Sequence, residues 1–239
     1  MSSSGSPSGD FAVPVSAWAD PDAKERTRRT RRRLLLAAAD CFSTHGYHGA
    51  ALSDILTSAG LTKGALYFHF SSKQALAEAL LTEVCDSWMQ VVDEIGRRGL
   101  DAMWRLLLET DAYVARWMYD PLVRGCSRAL ADPDLREHGV EWQAGWEGAT
   151  AERLRQASAA GLLADNVDPG RAARAVVAIA AGNHSIADGP DDLWTRMNET
   201  WEGLVPIMTT REWTAQWQAS GWLDRPRPDP VRYRTALVP

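Results

Sequence analysis

Apolar positions from residue 24 to residue 219 recur at helical spacing, and the alternation of a half-buried strand is nearly absent, so the chain reads as all-α. Leu35, Ala38, Ala39 and Phe42 fall on one stripe of a first helix over 24–45, and Gly46 stands where a left-handed residue closes a helix. Ser53 is the expected cap of a short helix through 59, Gly60 and Leu61 make a turn, and Thr62 caps a shorter helix through 68. Ser71 with Gln74 three residues on matches a capping box, opening a long helix that passes Trp88 towards 95. Periodic segments follow over 100–119, 121–131, 141–160, 169–187, 191–208 and 211–219, with Asp168-Pro169 as a helix start and Gly161 as a stop. Residues 1–23, rich in Ser, Gly, Pro and Asp, are too polar to offset chain entropy by burial and read as a mobile arm. The proline-rich tail, 224–239, reads as irregular. Between arm and tail the pattern gives a small helical head, 24–72, and a larger helical body, 73–223.

Charge changes sign at the same boundary. Residues 24–73 hold nine Lys/Arg against three Asp/Glu, whereas residues 74–239 hold seventeen against twenty-five. A basic end on a chain of net charge −5 fits a polyanion-binding module joined to a part that binds no polyanion. A hydrophobic content of 45% suffices for a core. Cys41, Cys85 and Cys126, far apart and in no C-x-x-C pattern, argue against a zinc site or disulfide framework and suit the reducing cytoplasm. The apolar runs are too short to span a bilayer, and no apolar segment follows the N-terminal residues as an export signal would require. Nucleophile elbows, phosphate loops and metal-ligand histidine spacings are all missing, so neither an enzyme nor a cofactor is expected.

Two short helices joined by a glycine-containing turn, 53–59 and 62–68, match a helix-turn-helix, whose second helix enters the major groove of DNA. Lys63 and Tyr67, four apart, share a helical face with Gly64 beside them, and this is the side expected to meet DNA. A glycine there lowers helix propensity by roughly 1 kcal/mol and leaves room for a close partner. Leu61, Ala65, Phe68 and Phe70 are expected to turn inward, and Tyr67 and His69 to offer polar tips to phosphates or base edges. Thr62 and the helix N-terminus are placed to donate to a phosphate, and Lys73 to neutralise another. Arg28, in the basic run "RTRRTRRR", and Ser53 complete the expected DNA-binding set.

The stretch "AAADCFSTHGYHGAALSDILTSAGLTKGALYFHFSSKQALAEALL", residues 37–81, closely resembles the N-terminal domain of the TetR family of repressors. That resemblance implies a homodimer of all-helical subunits, each with a three-helix DNA-binding domain and a larger helical domain that dimerises and holds a small effector. It carries Thr62, Lys63, Gly64, Tyr67, His69 and Lys73 over as DNA-contacting positions. The segment "ETDAYVARWMYDPLVRGCSRALAD", residues 109–132, with Trp146 and "RLRQASAAGLL" after it, looks like the γ-butyrolactone-receptor branch, whose members repress antibiotic and other secondary-metabolite genes. A repressor answering a drug, or one answering no ligand, stays open beside it.

Eleven tryptophans, ten of them beyond residue 87, suit a mainly apolar ligand with a few oxygens, although any one indole suits core or interface packing better than ligand contact. The resemblance aligns Trp146 with a pocket tryptophan of that branch. Trp142 and Gln143 are close to it on one helix, and Gln143 offers an amide to a carbonyl or hydroxyl. Thr110 and Asn183 are polar residues in apolar surroundings, each needing either a backbone carbonyl or a ligand as partner. Trp88, on the helix linking head and body, is positioned to couple the two. The alanine-rich segment 172–180 and the apolar positions Trp194, Trp201, Leu204 and Ile207 fit either a dimer four-helix bundle or an internal core.

Overall fold

The computed structural model describes residues 21–229, and ten α-helices and two short 3₁₀ turns make up their regular structure. The arm expected over 1–23 falls on 1–20 outside the described residues, and the first helix, α1, begins at Pro21 and extends to Gly49. Gly46 breaks it as expected, at φ +70°, a conformation glycine adopts without steric cost. There follow α2 (Leu52–Ala59), α3 (Lys63–His69), α4 (Lys73–Gly96), α5 (Ala102–Tyr119), α6 (Pro121–Leu130), α7 (Arg136–Ala159), α8 (Pro169–Ile186), α9 (Pro190–Met208) and α10 (Arg211–Ala219).

At three helix starts the capping or entry differs from the sequence expectation. Ala51, with no capping side chain, precedes α2, so Ser53 lies inside the first turn, where its hydroxyl donates to Asp54 at 3.3 Å. Ser72, not Ser71, caps α4 by accepting from the Ala75 N–H at 3.0 Å, and Gln74 bonds Glu78 instead of closing a box. The seventh helix starts at 136, not 141, because a 3₁₀ turn over Pro133–Leu135, capped by Asp132, feeds straight into it. Thr62, Asp101, Asp120 and Asp168 cap α3, α5, α6 and α8 through their side chains.

Leu34, Leu35 and Phe42 of α1 close a first core with Ile55, Leu66, Leu76 and Leu80. That core does not stop at the charge boundary, because Leu122, Val123 and Cys126 of α6 belong to it. A Cβ on Gly125 would sit 2.5 Å from the Ala39 Cα and nearer still to its carbonyl oxygen, so α6 crosses α1 backbone to backbone. A second core joins α5 and α7–α10 around Met103, Leu107, Met118, Leu154, Val176, Trp201 and Trp217.

Buried charges in the body are paired, as their desolvation requires. Arg153 meets Glu109 at 3.0 Å, Arg116 meets Asp120 at 3.2 Å, and Arg225 forks onto Asp111 with two bonds of 2.6 Å. Arg225 also lies 4.5 Å from the Trp194 ring and 4.1 Å from Trp222. Arg227 pairs with Asp191. The tail is therefore irregular through residue 229 yet anchored at alternate positions, since one proline between two arginines keeps both on the side of the body.

Candidate nucleic-acid interface and effector site

Seven residues make α3, and Leu66, fully buried, fixes which way they turn. Thr62, Lys63, Gly64 and Tyr67 are exposed, as expected, and the Lys63 ammonium lies 6.0 Å from the Tyr67 ring centre. A methyl group on Gly64 would have no neighbour closer than Thr62 Oγ1 at 3.9 Å, so the open space beside it serves no internal packing.

Phe68 corrects the inward expectation. It is 76% exposed, while Phe70 is buried. Two residues along a helix turn through about 200°, so burying Leu66 drives Phe68 outward, next to Gly64 four positions earlier. The outward surface of α3 is thus Lys63, Gly64, Tyr67 and Phe68. The aromatic character of Phe68 points to the core, but its angle from Leu66 decides its direction. His69 is half-buried, edge-on to Phe68 at 5.0 Å; burial, with a smaller contribution from Arg31, lowers its pKa.

Lys73 is a second correction. Its ammonium donates to the carbonyls of Tyr47 at 2.8 Å, His48 at 3.3 Å and Ala50 at 3.2 Å, and lies 4.5 Å from the Tyr47 ring. The Gly46 corner leaves those carbonyls free, and with all three protons committed to them Lys73 fastens the corner instead of facing a phosphate. The basic run divides similarly. Arg33 donates to the Ala59 carbonyl at 2.5 Å and Arg31 reaches Glu83 at 3.4 Å, whereas Arg28 is exposed beside Glu25. Ser53 is exposed at the start of α2.

In the body, α4, α5 and α7 bring three rings together. Tyr113 stacks on Trp146 at 4.5 Å and meets Trp88 edge-on at 6.2 Å. Ser127 and Trp142 stand beside its hydroxyl, and burial raises its pKa to about 12. Trp88, Trp142 and Trp146 are therefore gathered around Tyr113, a ring that sequence reasoning missed although it stands three positions after Thr110 on the same helix. Nearby, Trp117 meets His184 at 3.8 Å, and burial lowers the His184 pKa to about 4.

Three polar side chains are placed by the packing, Thr110 on a backbone carbonyl as one of its two expected partners. Gln143 is exposed and bonds Glu147 at 3.1 Å on its own helix, because Trp142 and Trp146 take the inward face and position 143 turns about 100° away. Thr110 donates to the Leu106 carbonyl at 2.9 Å. Asn183 donates to Thr200 at 2.8 Å and ties α8 to α9. Each finds its partner within the fold.

A bonded path leaves the ring cluster. Ser87, next to Trp88, accepts from Arg116 at 2.7 Å; Arg116 pairs with Asp120, whose other oxygen caps α6 at Leu122 N, 3.0 Å away. Burial raises the Asp120 pKa, opposed by Arg116. From there α6 lies on α1 through Gly125 and Ala39. Among the described residues no helix is long and apolar enough to cross a membrane, and no group of His, Cys, Asp and Glu is arranged to hold a metal.

Residues 34–80 match the model for bacterial regulatory proteins of the tetR family. The A-factor receptor protein of Streptomyces griseus is 29% identical over 184 residues, which are 76% of this chain and 64% of that protein, just under two thirds of its length. The HTH-type transcriptional repressor AcnR of Corynebacterium glutamicum is 31% identical over 150 residues, 62% of this chain and 72% of that one. Among solved structures, an ArpA-like gamma-butyrolactone receptor superposes with a TM-score of 0.69 at 27% identity, over 83% of this chain and 98% of its own. The helix-turn-helix head, the helical body and these likenesses agree: the chain belongs to the TetR family of bacterial transcriptional regulators, is no enzyme, and has relatives in the A-factor and γ-butyrolactone receptor branch.

Proposed function

We propose that the chain is a repressor that binds a pseudo-palindromic operator as a homodimer and is released by a small γ-butyrolactone, butenolide or furan-type signal. The observation that carries the reading is the outward face of α3: Lys63, Tyr67 and Phe68 stand exposed together, Gly64 leaves the backbone approachable, and Thr62 opens the helix. Two such helices about 34–36 Å apart would meet successive major grooves. Support for the dimer comes from α8 and α9, which leave Ala175, Ala178, Gly182, Ile186 and Ile207 exposed or half-buried. Support for the effector comes from the Trp88, Tyr113 and Trp146 rings.

Ligand binding at those rings favours a different placing of α4 and α6, and through Gly125 a different placing of the heads. Release follows only from the ligand's higher affinity for the DNA-incompetent arrangement. By analogy with the receptor branch, the controlled genes make antibiotics or other secondary metabolites, and the protein works in the cytoplasm, on the nucleoid when operator-bound. DNA selected from a random pool by the purified protein tests this: a two-fold repeat one turn apart is expected, and pools without such a repeat contradict it.

A further inference from the structure

Where α7 begins, the body touches the head through histidines and carboxylates. Asp132 and Asp134, at the 3₁₀ turn that feeds α7, face the Gly46 corner: Asp132 accepts from the His48 N–H at 3.1 Å, and Asp134 lies 3.8 Å from His48 Nδ1. His138, in the first turn of α7, lies 3.7 Å from Glu78 of α4. Tyr47, buried at the same corner, has its hydroxyl pKa raised by burial and then by Asp134, Asp132 and Glu78, so the three carboxylates converge on one joint. Two cations share it: Lys73 donates to the Tyr47, His48 and Ala50 carbonyls, and the Arg128 guanidinium lies 3.7 Å from where a Gly46 Cβ would stand. Lysine, arginine and carboxylate side chains keep their charge between pH ~8 and ~6 and tyrosine stays neutral, whereas histidine gains charge across that range.

Two helices carry both this joint and the rings. Glu78 and Trp88 are ten residues apart on α4, about 15 Å along its axis, and His138 and Trp146 are eight apart on α7, about 12 Å. Tyr113 stands between the rings they carry, stacked on Trp146 at 4.5 Å and edge-on to Trp88 at 6.2 Å. A ligand that enters among these rings parts α7 from α4, and a charged His138 on Glu78 resists the parting.

We infer that the start of α7 is a proton-sensitive clasp, in which His138 on Glu78, helped by His48 on Asp134, holds head and body in the operator-binding arrangement and opposes the effector. The inference rests on the reading of the rings as the effector site and of α3 as the DNA-binding face, and it adds the proton as a third input. Under that reading effector and operator oppose one another, so what resists the effector favours the operator. The two pairs differ in weight. His138 and Glu78 are 30% and 44% exposed, whereas His48 and Asp134 are 87% and 63% exposed, so water and salt screen the second pair and the first carries most of the effect. Each ion pair exists only while its histidine is charged. Operator affinity therefore rises as pH falls, and effector affinity drops.

Titrations of the full-length protein with duplex DNA selected from the random pool, at pH ~6 and ~8 in low salt, test this. The ratio of the two affinities is expected to be about threefold larger in the wild type than in the double variant His48→Gln, His138→Gln. His69, on α3, is present in every protein compared and drops out. Glu78→Gln should remove most of the difference with both histidines in place, and adding His138→Gln to it should remove little more. His138→Lys carries its charge at both pH values and should hold the higher operator affinity at pH ~8. The probe lactone α-octanoyl-γ-butyrolactone, followed by tryptophan fluorescence, should bind the wild type more weakly at pH ~6 than at pH ~8, and the double variant without that loss. Equal operator ratios in the wild type and the double variant overturn the clasp and leave the DNA-binding reading in place. Lactone bound more tightly at the lower pH by the wild type alone overturns the direction given to it. A chain that binds no duplex at either pH overturns the DNA-binding reading and the inference together.

Discussion

Gly125 of α6 rests on Ala39 of α1 so closely that a methyl group on it would fall 2.5 Å from the Ala39 Cα and nearer still to the Ala39 carbonyl oxygen. Both neighbours are backbone, so neither yields by a rotamer change. Gly125→Ala should force the helices apart at a cost of about 1–3 kcal/mol. The expected result is a lower melting temperature together with weaker operator binding. Unchanged melting would show that the α1–α6 crossing is looser than this geometry.

Gly64 is the opposite case, a glycine in a helix with open space beside it. Alanine there should stabilise the head by about 0.5–1 kcal/mol through backbone propensity. Operator affinity should nevertheless fall, because the added methyl stands where DNA approaches. Denaturant unfolding and operator titration on one variant separate the two effects, and a stabilised variant with undiminished affinity would remove Gly64 from the interface.

Two lysines of the head should respond differently. Lys63→Ala is expected to leave stability unchanged and to reduce the salt slope of operator binding by about 1, as the loss of one phosphate contact does. Lys73→Met leaves three carbonyls without their donor and should cost about 1–2 kcal/mol of stability while keeping the salt slope. Interchanged outcomes would reverse the role given to Lys73.

Between neutral and acid pH two buried groups act with opposite signs. Burial raises the Asp111 carboxyl to about 6 despite Arg225, so the folded protein takes up a proton before the unfolded chain does, and this group favours folding as pH falls through 6. His184, lowered to about 4, resists the proton that the unfolded chain accepts near 6.5, so its contribution is lost as pH falls from 6.5 towards 4. Asp111→Asn removes the first and leaves the second. Its melting temperature should fall more steeply than that of the wild type between pH ~6.5 and ~4. A slope equal to or shallower than the wild type's would contradict the Asp111 shift.

How much of the molecule is legible from the sequence depends on whether a feature is local. Helical periodicity, the Gly46 break and the Thr62 and Asp168 caps are set within a few residues, and each stands in the structure as the sequence places it. Phe68 escapes because its direction is fixed by Leu66, which docks on residues far away in the chain. Lys73 escapes because its acceptors lie 23 to 26 residues earlier, at a corner whose free carbonyls no motif announces. Trp142 and Trp146 can be grouped from their spacing of four, but Tyr113, the ring between helices, and the outward turn of Gln143 require the packing of α7 on α5. The pairing of Arg225 with Asp111 joins residues 114 apart, beyond reach of any local pattern.

Ligand at the aromatic cluster and DNA at α3 are held to oppose one another through the same molecule, and linkage makes that a reciprocal quantity. A pair of titrations decides the matter: operator affinity with and without saturating α-octanoyl-γ-butyrolactone, and lactone affinity with and without saturating operator. Each ligand is expected to weaken the other by the same factor, and Trp146→Ala to keep operator affinity while bringing that factor to one. Lactone binding that leaves operator affinity untouched in the wild type would contradict the opposition.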